Sequence, residues 1–274
     1  MAARGIVEDV EYVDLHEYIT ECSPDPYTEG GISIGILGTG QSGKTSLLRQ
    51  ILQALDERTP GHGIMLMTNS PYSKSIIPIK KEHPNMAVYP TGYDKDAVNS
   101  IIKRAASTAK ESRMESEGGD GELEDFYTLI LDDTLKGGKG SGPCINAAMA
   151  GRNHGITYIQ TAHHFKHIDT GIRDHMNYLI ILRMCGSEGV KEVLNTVLKR
   201  YLQASKLYTY KGMEEFFEKA VEPSKDKSIK GGFFISQLDE QAFYMEYSLT
   251  EATLYPLLER YEEYIEETWR VHNY

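Results

Sequence analysis

The chain is poor in cysteine, in positive charge and in long apolar runs, and each shortage removes a class of protein. Its cysteines are Cys22, Cys144 and Cys185, far apart, odd in number and without a C-x-x-C spacing. A disulfide framework or a cysteine-ligated metal needs closer, paired spacing, so reduced thiols in a cytosol-like compartment are expected. Lys and Arg total 29 against 40 Asp and Glu, a net charge of −11 with a pI near 5.3. That excludes a generally basic nucleic-acid-binding surface but leaves room for a local basic patch on a few loops. No run approaches the roughly 20 apolar residues that span a bilayer, so no membrane span is expected. Met1-Ala2-Ala3-Arg4-Gly5 leads into acidic sequence rather than an apolar signal core, so no secretory signal is expected either.

What remains is 274 residues, 40% hydrophobic and 25% charged, enough for one large α/β domain with additions. The stretch that organises it is Gly38-Thr39-Gly40-Gln41-Ser42-Gly43-Lys44-Thr45, a full match to G-x-x-x-x-G-K-[ST], with Ser46 next. Glycines let the backbone curl so that successive N–H groups converge on phosphate oxygens. Lys44 supplies a point charge for the β and γ phosphates, Thr45 a hydroxyl for Mg²⁺, and the following helix aims its positive end at the same anion. The flanks fit: Ile32–Leu37 is short, apolar and β-branched, and Leu47, Leu48, Ile51, Leu52 and Leu55 fall on one helical face.

Tyr127–Asp133 is the second landmark, an apolar strand ending in paired carboxylates. In a parallel sheet the C-terminal ends of strands face the ligand crevice. Asp132 is therefore expected beside the Mg²⁺ held by Thr45, the Walker B arrangement following a Walker A loop. Asp133 is expected where a carboxylate orients or deprotonates an attacking water. Ile156 to His164 reads as another core strand ending in polar residues, and Gln160, Thr161 or His163 is expected to sense the γ-phosphate. Metal ligation by His163-His164 is disfavoured, because adjacent strand residues point to opposite faces. Between the last two landmarks, Lys136 and Lys139 lie on a Gly-rich loop that either touches a phosphate backbone or is a solvated turn.

The remaining chain reads as an acidic extension over 1–30, broken at Ser23-Pro24-Asp25-Pro26, then a core over 31–248 and a tail over 249–274. Within the core, strands are expected at Gly63–Thr68, Met86–Tyr89 and Tyr178–Met184. Helices are expected at Asp94–Lys110 with Asp94 as N-cap, at Ile145–Asn153, and from Gly189 to Leu207. Ile76–Lys81 is expected to be irregular, and Ile168–Asn177 to be a connector containing Arg173. Phe233 to Tyr247 reads as a hairpin. Leu254, Leu257, Leu258, Tyr261 and Ile265 give the tail a helical packing face.

The order of these parts, with Gly151-Arg152-Asn153-His154-Gly155 before one strand and Ile172-Arg173-Asp174-His175-Met176-Asn177 before the next, resembles the genome-packaging ATPases of large double-stranded DNA viruses. These form the poxvirus-type branch of the FtsK–HerA superfamily of P-loop NTPases. The resemblance covers roughly residues 31 to 185. It departs from the family at Gly-Arg-Asn-His, where Gly-Arg-His is usual, at His163-His164, where Gln or Thr-Gln is common, and at Asp133, where relatives use Glu. It implies a RecA/FtsK-like fold with a mostly parallel central sheet flanked by helices, plus an N-terminal extension and a C-terminal hairpin and helix. It also implies ATP and Mg²⁺ as cofactors, hydrolysis of ATP, and a pentameric or hexameric ring that pulls double-stranded DNA into a capsid. The setting would be a virion or the host cytoplasm, with capsid proteins as further partners. An arginine reaching the neighbour's γ-phosphate is implied at Arg152, with Arg173 second. The other readings are a cellular translocase or helicase of the same superfamily and a capsid-associated nucleotide switch with weak hydrolysis. A small-molecule kinase fits less well, since no arginine-rich lid is apparent.

Overall fold

Strands buried on both faces, with no polar alternation, require helices on both sides of a parallel sheet. That arrangement is found in the computed structural model, which describes residues 13–114, 121–134, 142–184, 187–195, 217–218, 221, 228–239 and 241–249. Lys136, Lys139, the start of the extension, the helix expected beyond residue 195 and the tail helix lie outside the described residues.

The elements alternate along the chain. They are α1 (Leu15–Glu17, continued by a π-turn over Tyr18–Cys22), β1 (Ser33–Leu37), α2 (Lys44–Arg58), β2 (Gly63–Thr68), α3 (Ile76–Glu82) and β3 (Ala87–Tyr89). There follow α4 (Lys95–Met114), β4 (Tyr127–Asp132), α5 (Gly142–Ala150), β5 (Ile156–Ala162), α6 (Thr170–Arg173), β6 (Tyr178–Ile181), α7 (Ser187–Val193), β7 (Ile229–Ser236) and β8 (Gln241–Ser248). They build one eight-stranded sheet in the order β3-β2-β4-β5-β1-β6-β7-β8. The first six in that order are parallel, and β7 and β8 close the sheet as an antiparallel hairpin. One face of the sheet buries Leu37, Leu129, Leu131, Tyr158 and Ile181 with α4 and α5. The other buries Ile34, Ile36, Ile130 and Ile159 against Leu47, Leu48, Ile51 and Leu52 of α2.

Local signals explain most element ends. The Asp94 carboxylate accepts from the N–H groups of Asp96 and Ala97 at 2.9 and 3.0 Å and so starts α4. α5 passes into a 3₁₀ turn over Gly151–His154, which Gly155 ends at φ +71°. The segment expected to be irregular and the expected connector both contain helices. Ile76–Glu82 is helical because Pro78 falls in the first turn, where its missing N–H has no intrahelical partner to lose, and because Ile76, Ile77 and Ile79 are buried. Thr170–Arg173 forms α6, with the Asp169 carboxylate accepting from the Gly171 N–H. The sixth strand stops at Ile181, three residues short of the apolar run.

The described part of the N-terminal extension packs on this core. Ile19 is fully buried, and the Tyr18 ring meets Tyr178 and Phe234 edge-on at centroid distances of 5.7 and 4.7 Å. The extension enters β1 through Gly30-Gly31, which lies against the backbone of the Gly151–His154 turn. The Gly31 N–H donates to the Arg152 carbonyl at 3.1 Å. A Cβ at Gly30 would sit 1.5 Å from that carbonyl oxygen, and Gly30 has φ +87°. Gly30→Ala is therefore expected to destabilise the protein by about 2–4 kcal/mol in urea unfolding. Gly61→Ala, at φ +78° but in open space, is expected to cost only the left-handed backbone penalty of about 1–2 kcal/mol. Equal losses at the two sites would remove the steric role given to Gly30.

Candidate functional site

Because six strands run parallel, their C-terminal ends share one edge of the sheet, and the chemistry collects there. β2, β4 and β5 are in register at that edge, with Thr68 opposite Asp132 and Asp132 opposite Thr161. The hydroxyls of Thr161 and Thr68 donate to the two carboxylate oxygens of Asp132 at 2.9 and 3.0 Å. Thr161 also accepts from the Asp133 N–H at 3.1 Å, so one hydroxyl fixes both acidic residues. Asp133 itself is in the left-handed region at φ 51°, a costly conformation for a non-glycine residue and one concentrated at functional sites.

The loop from Gly38 to Gly43 leaves β1 at the same edge. Among the described residues, the N–H groups of Gly40, Gln41, Gly43, Lys44, Thr45 and Ser46 have no backbone acceptor. Unpaired amides at a loop and the first turn of α2 make a cradle for an anion. Gly43 introduces the helix at φ +97°, which a side chain would resist. Lys44 is buried, and its ammonium donates to the Gly38 carbonyl at 2.8 Å. It also lies 3.4 Å from Asp133 Oδ2 and 3.1 Å from His163 Nδ1. An ammonium can only donate, so Nδ1 accepts and the Nε2–H of His163 donates to Asp133 Oδ2 at 3.1 Å. Lys44, His163 and Asp133 thus form a closed triangle.

Asp132 is only 8% exposed. Burial pushes its carboxyl above the usual carboxylate range, and the neighbouring Asp133 adds to this, while the hydroxyls of Thr161 and Thr68 and the Lys44 charge oppose it. The oxygen-only set of Thr45, Asp132 and Asp133 suits Mg²⁺, which binds one or two carboxylates together with phosphate and water. Asp133 Oδ1 is buried and without a partner among the described residues, as an acceptor reserved for a water or cation would be. Those residues contain no cluster of three His, Cys, Asp or Glu for a protein-only metal cage.

The sequence candidates therefore divide. Lys44, Asp132, Asp133, Thr161 and His163 converge, with Thr45 and Ser46 in the first turn of α2 behind the loop Gly38, Thr39, Gly40, Gln41, Ser42 and Gly43. Gln160 does not join them. Strand alternation turns it to the opposite face, where it is fully buried and accepts from the Tyr158 hydroxyl at 2.9 Å. His164 stacks edge-on against His167 instead of pairing with His163. Arg152 lies in the turn that feeds the N-terminal end of β5, about 20 Å from the cradle by strand rise. It is exposed and, among the described residues, its side chain has no partner. Arg173 is held by its own surroundings, with Nη2 donating to Thr170 at 2.9 Å and the guanidinium 4.3 Å over the Phe165 ring. Thr68 was not among the candidates. Its signal is a polar residue closing an apolar strand, the pattern that also marks Asp132 and Thr161.

No protein-family profile and no curated protein matches the chain. Solved structures match by fold. The cytoplasmic domain of the type VII secretion ATPase EccC of Thermomonospora curvata has a TM-score of 0.55 at 14% identity, over 87% of this chain and 28% of that one. The pCW3 conjugation coupling protein TcpA, in monomer form with ATPγS, has a TM-score of 0.53 at 14% identity, over 87% of this chain and 68% of that one. The DNA-packaging ATPase B204 of Sulfolobus turreted icosahedral virus has a TM-score of 0.46 at 11% identity, over 79% and 97%, too loose a superposition to weigh. The chain has the mixed α/β fold of P-loop ATPases, with an eight-stranded, mostly parallel sheet.

The raised Asp132 pKa has a stability consequence. An acid whose folded pKa lies above its ordinary value of 3.8 favours folding when protonated and loses that contribution as pH rises through the folded pKa. Asp132→Asn is therefore expected to stabilise the nucleotide-free protein near pH 7 by on the order of 1 kcal/mol. The gain should shrink towards pH 4. Urea titrations at both pH values check this, and a variant less stable than the parent near pH 7 would show that the charge is favourable where it lies.

Proposed function

We propose that this chain is an ATP-hydrolysing motor that moves double-stranded DNA, acting as a homo-oligomeric ring in viral genome packaging. The observation that supports the reading is that the residues assigned to it lie at opposite edges of the sheet. The phosphate cradle, Lys44 and both acidic residues meet at one edge, while the exposed Arg152 stands at the other, out of reach of its own cradle. A neighbouring copy in a ring would supply it. The Gly-Arg and Ile-Arg stretches of the sequence support the packaging branch over a cellular translocase, which would share the same nucleotide site.

In this reading the loop amides bind the β and γ phosphates, and Lys44 exchanges the Gly38 carbonyl for phosphate oxygen. Thr45 and Asp132 would hold Mg²⁺, and the chemistry such an ion would supply is neutralisation of charge on the phosphates. Asp133, with its carboxylate aimed by the His163 Nε2–H and its backbone by Thr161, orients the attacking water and receives its proton. Thr161 and His163 remain the sensor candidates. Arg152 of a neighbouring subunit stabilises the transition-state charge and makes turnover depend on assembly. Lys136 and Lys139 would grip the DNA backbone without reading sequence. Capsid proteins are the expected docking partners, at a virion or cytoplasmic assembly site.

A second reading, a nucleotide switch with weak hydrolysis, is favoured by one feature: Asp133 is already engaged by Lys44 and His163. ATPase rates with and without duplex DNA separate the two. A motor is expected to be stimulated several-fold, and nucleotide binding with negligible turnover at any DNA concentration would establish the switch. Lys44→Ala is expected to abolish turnover. Arg152→Ala is expected to bind nucleotide normally yet lose about 10³-fold in rate, and mixing it with Lys44→Ala should restore part of the activity. No recovery in mixed rings would rule out an arginine acting between subunits.

A further inference from the structure

The end of the terminal hairpin rests on the phosphate loop. Lys230 of β7 and Tyr247 of β8 are cross-strand partners, so their side chains leave the same face of the hairpin side by side. The Lys230 ammonium donates to the Gln41 carbonyl at 2.6 Å. The buried Tyr247 hydroxyl donates to the Ser42 carbonyl. Leu249, which follows β8, and the Tyr247 ring close on Gly43, where an added Cβ would come within 2.8 Å of each. Three consecutive loop residues, Gln41, Ser42 and Gly43, are therefore each held from the hairpin. Two of them, Gln41 at φ 63° and Gly43 at φ 97°, have left-handed backbones.

This arrangement has a directional consequence. A peptide carbonyl held on one side of a loop turns the N–H on the other end of the same peptide plane away from it. The Ser42 carbonyl, fixed by the Tyr247 hydroxyl, thus sets the plane of the Gly43 amide that borders the cradle, while the Gln41 carbonyl, fixed by Lys230, sets the plane of the Ser42 N–H, which closes the loop on the Thr39 carbonyl at 3.1 Å. Gln41 in particular is a non-glycine residue in a conformation that persists only where surrounding contacts over-determine it.

We propose that Tyr247 and Lys230 are positioning residues of the nucleotide site: the hairpin clasps the phosphate loop from behind and holds its amides in the phosphate-binding shape. The inference rests on the nucleotide-binding reading above. It assigns a function to a segment some 200 residues beyond the loop in sequence that no pattern around Lys44 includes. Burial raises the Tyr247 phenol pKa well beyond its ordinary value, so the hydroxyl stays a donor at any working pH.

The test uses the full chain and equilibrium binding of fluorescent ATP and ADP analogues. Tyr247→Phe keeps the ring against Gly43 and removes only the donor. Lys230→Met keeps the aliphatic stem and removes the charge, and Lys230→Arg is the conservative control. Each single loss is expected to weaken nucleotide binding about five- to ten-fold, the effect of one hydrogen bond. In steady state KM should rise while kcat changes little, and Lys230→Arg should recover most of the affinity. Nucleotide-free melting temperatures should stay close to the parent, separating loop positioning from general destabilisation. Parental affinity in both Tyr247→Phe and Lys230→Met, with Lys44→Ala still abolishing binding, would overturn the clasp and leave the nucleotide site intact. A parent chain that binds no nucleotide would overturn both.

Discussion

The contact on which the site depends is the one between the Lys44 ammonium and Asp133, 3.4 Å apart, with His163 bridging them. It joins the loop after β1 to the end of β4 and the end of β5, three strands adjacent in the sheet. A parallel sheet makes that meeting possible, because only parallel strands deliver their C-terminal ends to one edge. Burying an ammonium is costly unless charge and hydrogen bonds compensate it. Here Gly38, Asp133 and His163 supply them, so the buried lysine is held in place rather than left free in solvent. An incoming triphosphate would replace these partners with stronger ones.

The two edges of the sheet have different chemistry. The loop edge carries the buried acids, the lysine and the hydroxyls that orient them. The other edge carries Arg152, exposed and braced through its backbone by Gly30 and Gly31. Holding the backbone of Arg152 through an entering strand gives a surface arginine a defined place without consuming its guanidinium. Arg173 is the contrast: its Nη2 donates to Thr170 and its guanidinium lies over the Phe165 ring. The hairpin adds a third element, reaching the loop from the side of β6 that faces away from the acids.

Much of this was legible in the sequence, for identifiable reasons. The phosphate loop is a local pattern whose geometry is dictated by its glycines, and the apolar runs ending in Asp132 and Thr161 declare both strand and edge. Asp94 announced a helix start by residue type alone. Other features were not legible. Gln160 and Thr161 are adjacent, and choosing between them needs the strand's facing, which only the assembled sheet fixes. Ile76–Lys81 read as irregular, yet its Pro78 falls in a helix's first turn, where proline is tolerated. Thr68, Lys230 and Tyr247 act through contacts with residues 64 to 205 positions away. No periodicity or spacing carries such contacts.

The central claim is that the cradle before Lys44 and the carboxylates at 132 and 133 serve one nucleotide–metal complex. Crystals grown with a non-hydrolysable ATP analogue and Mn²⁺ test it most directly, since the metal's anomalous signal marks its position independently of the refined coordinates. The signal is expected between the Thr45 hydroxyl and the Asp132 carboxylate, with Lys44 turned from the Gly38 carbonyl to the phosphates. A metal and triphosphate bound away from that edge, with the Lys44–Asp133 contact undisturbed, would contradict it.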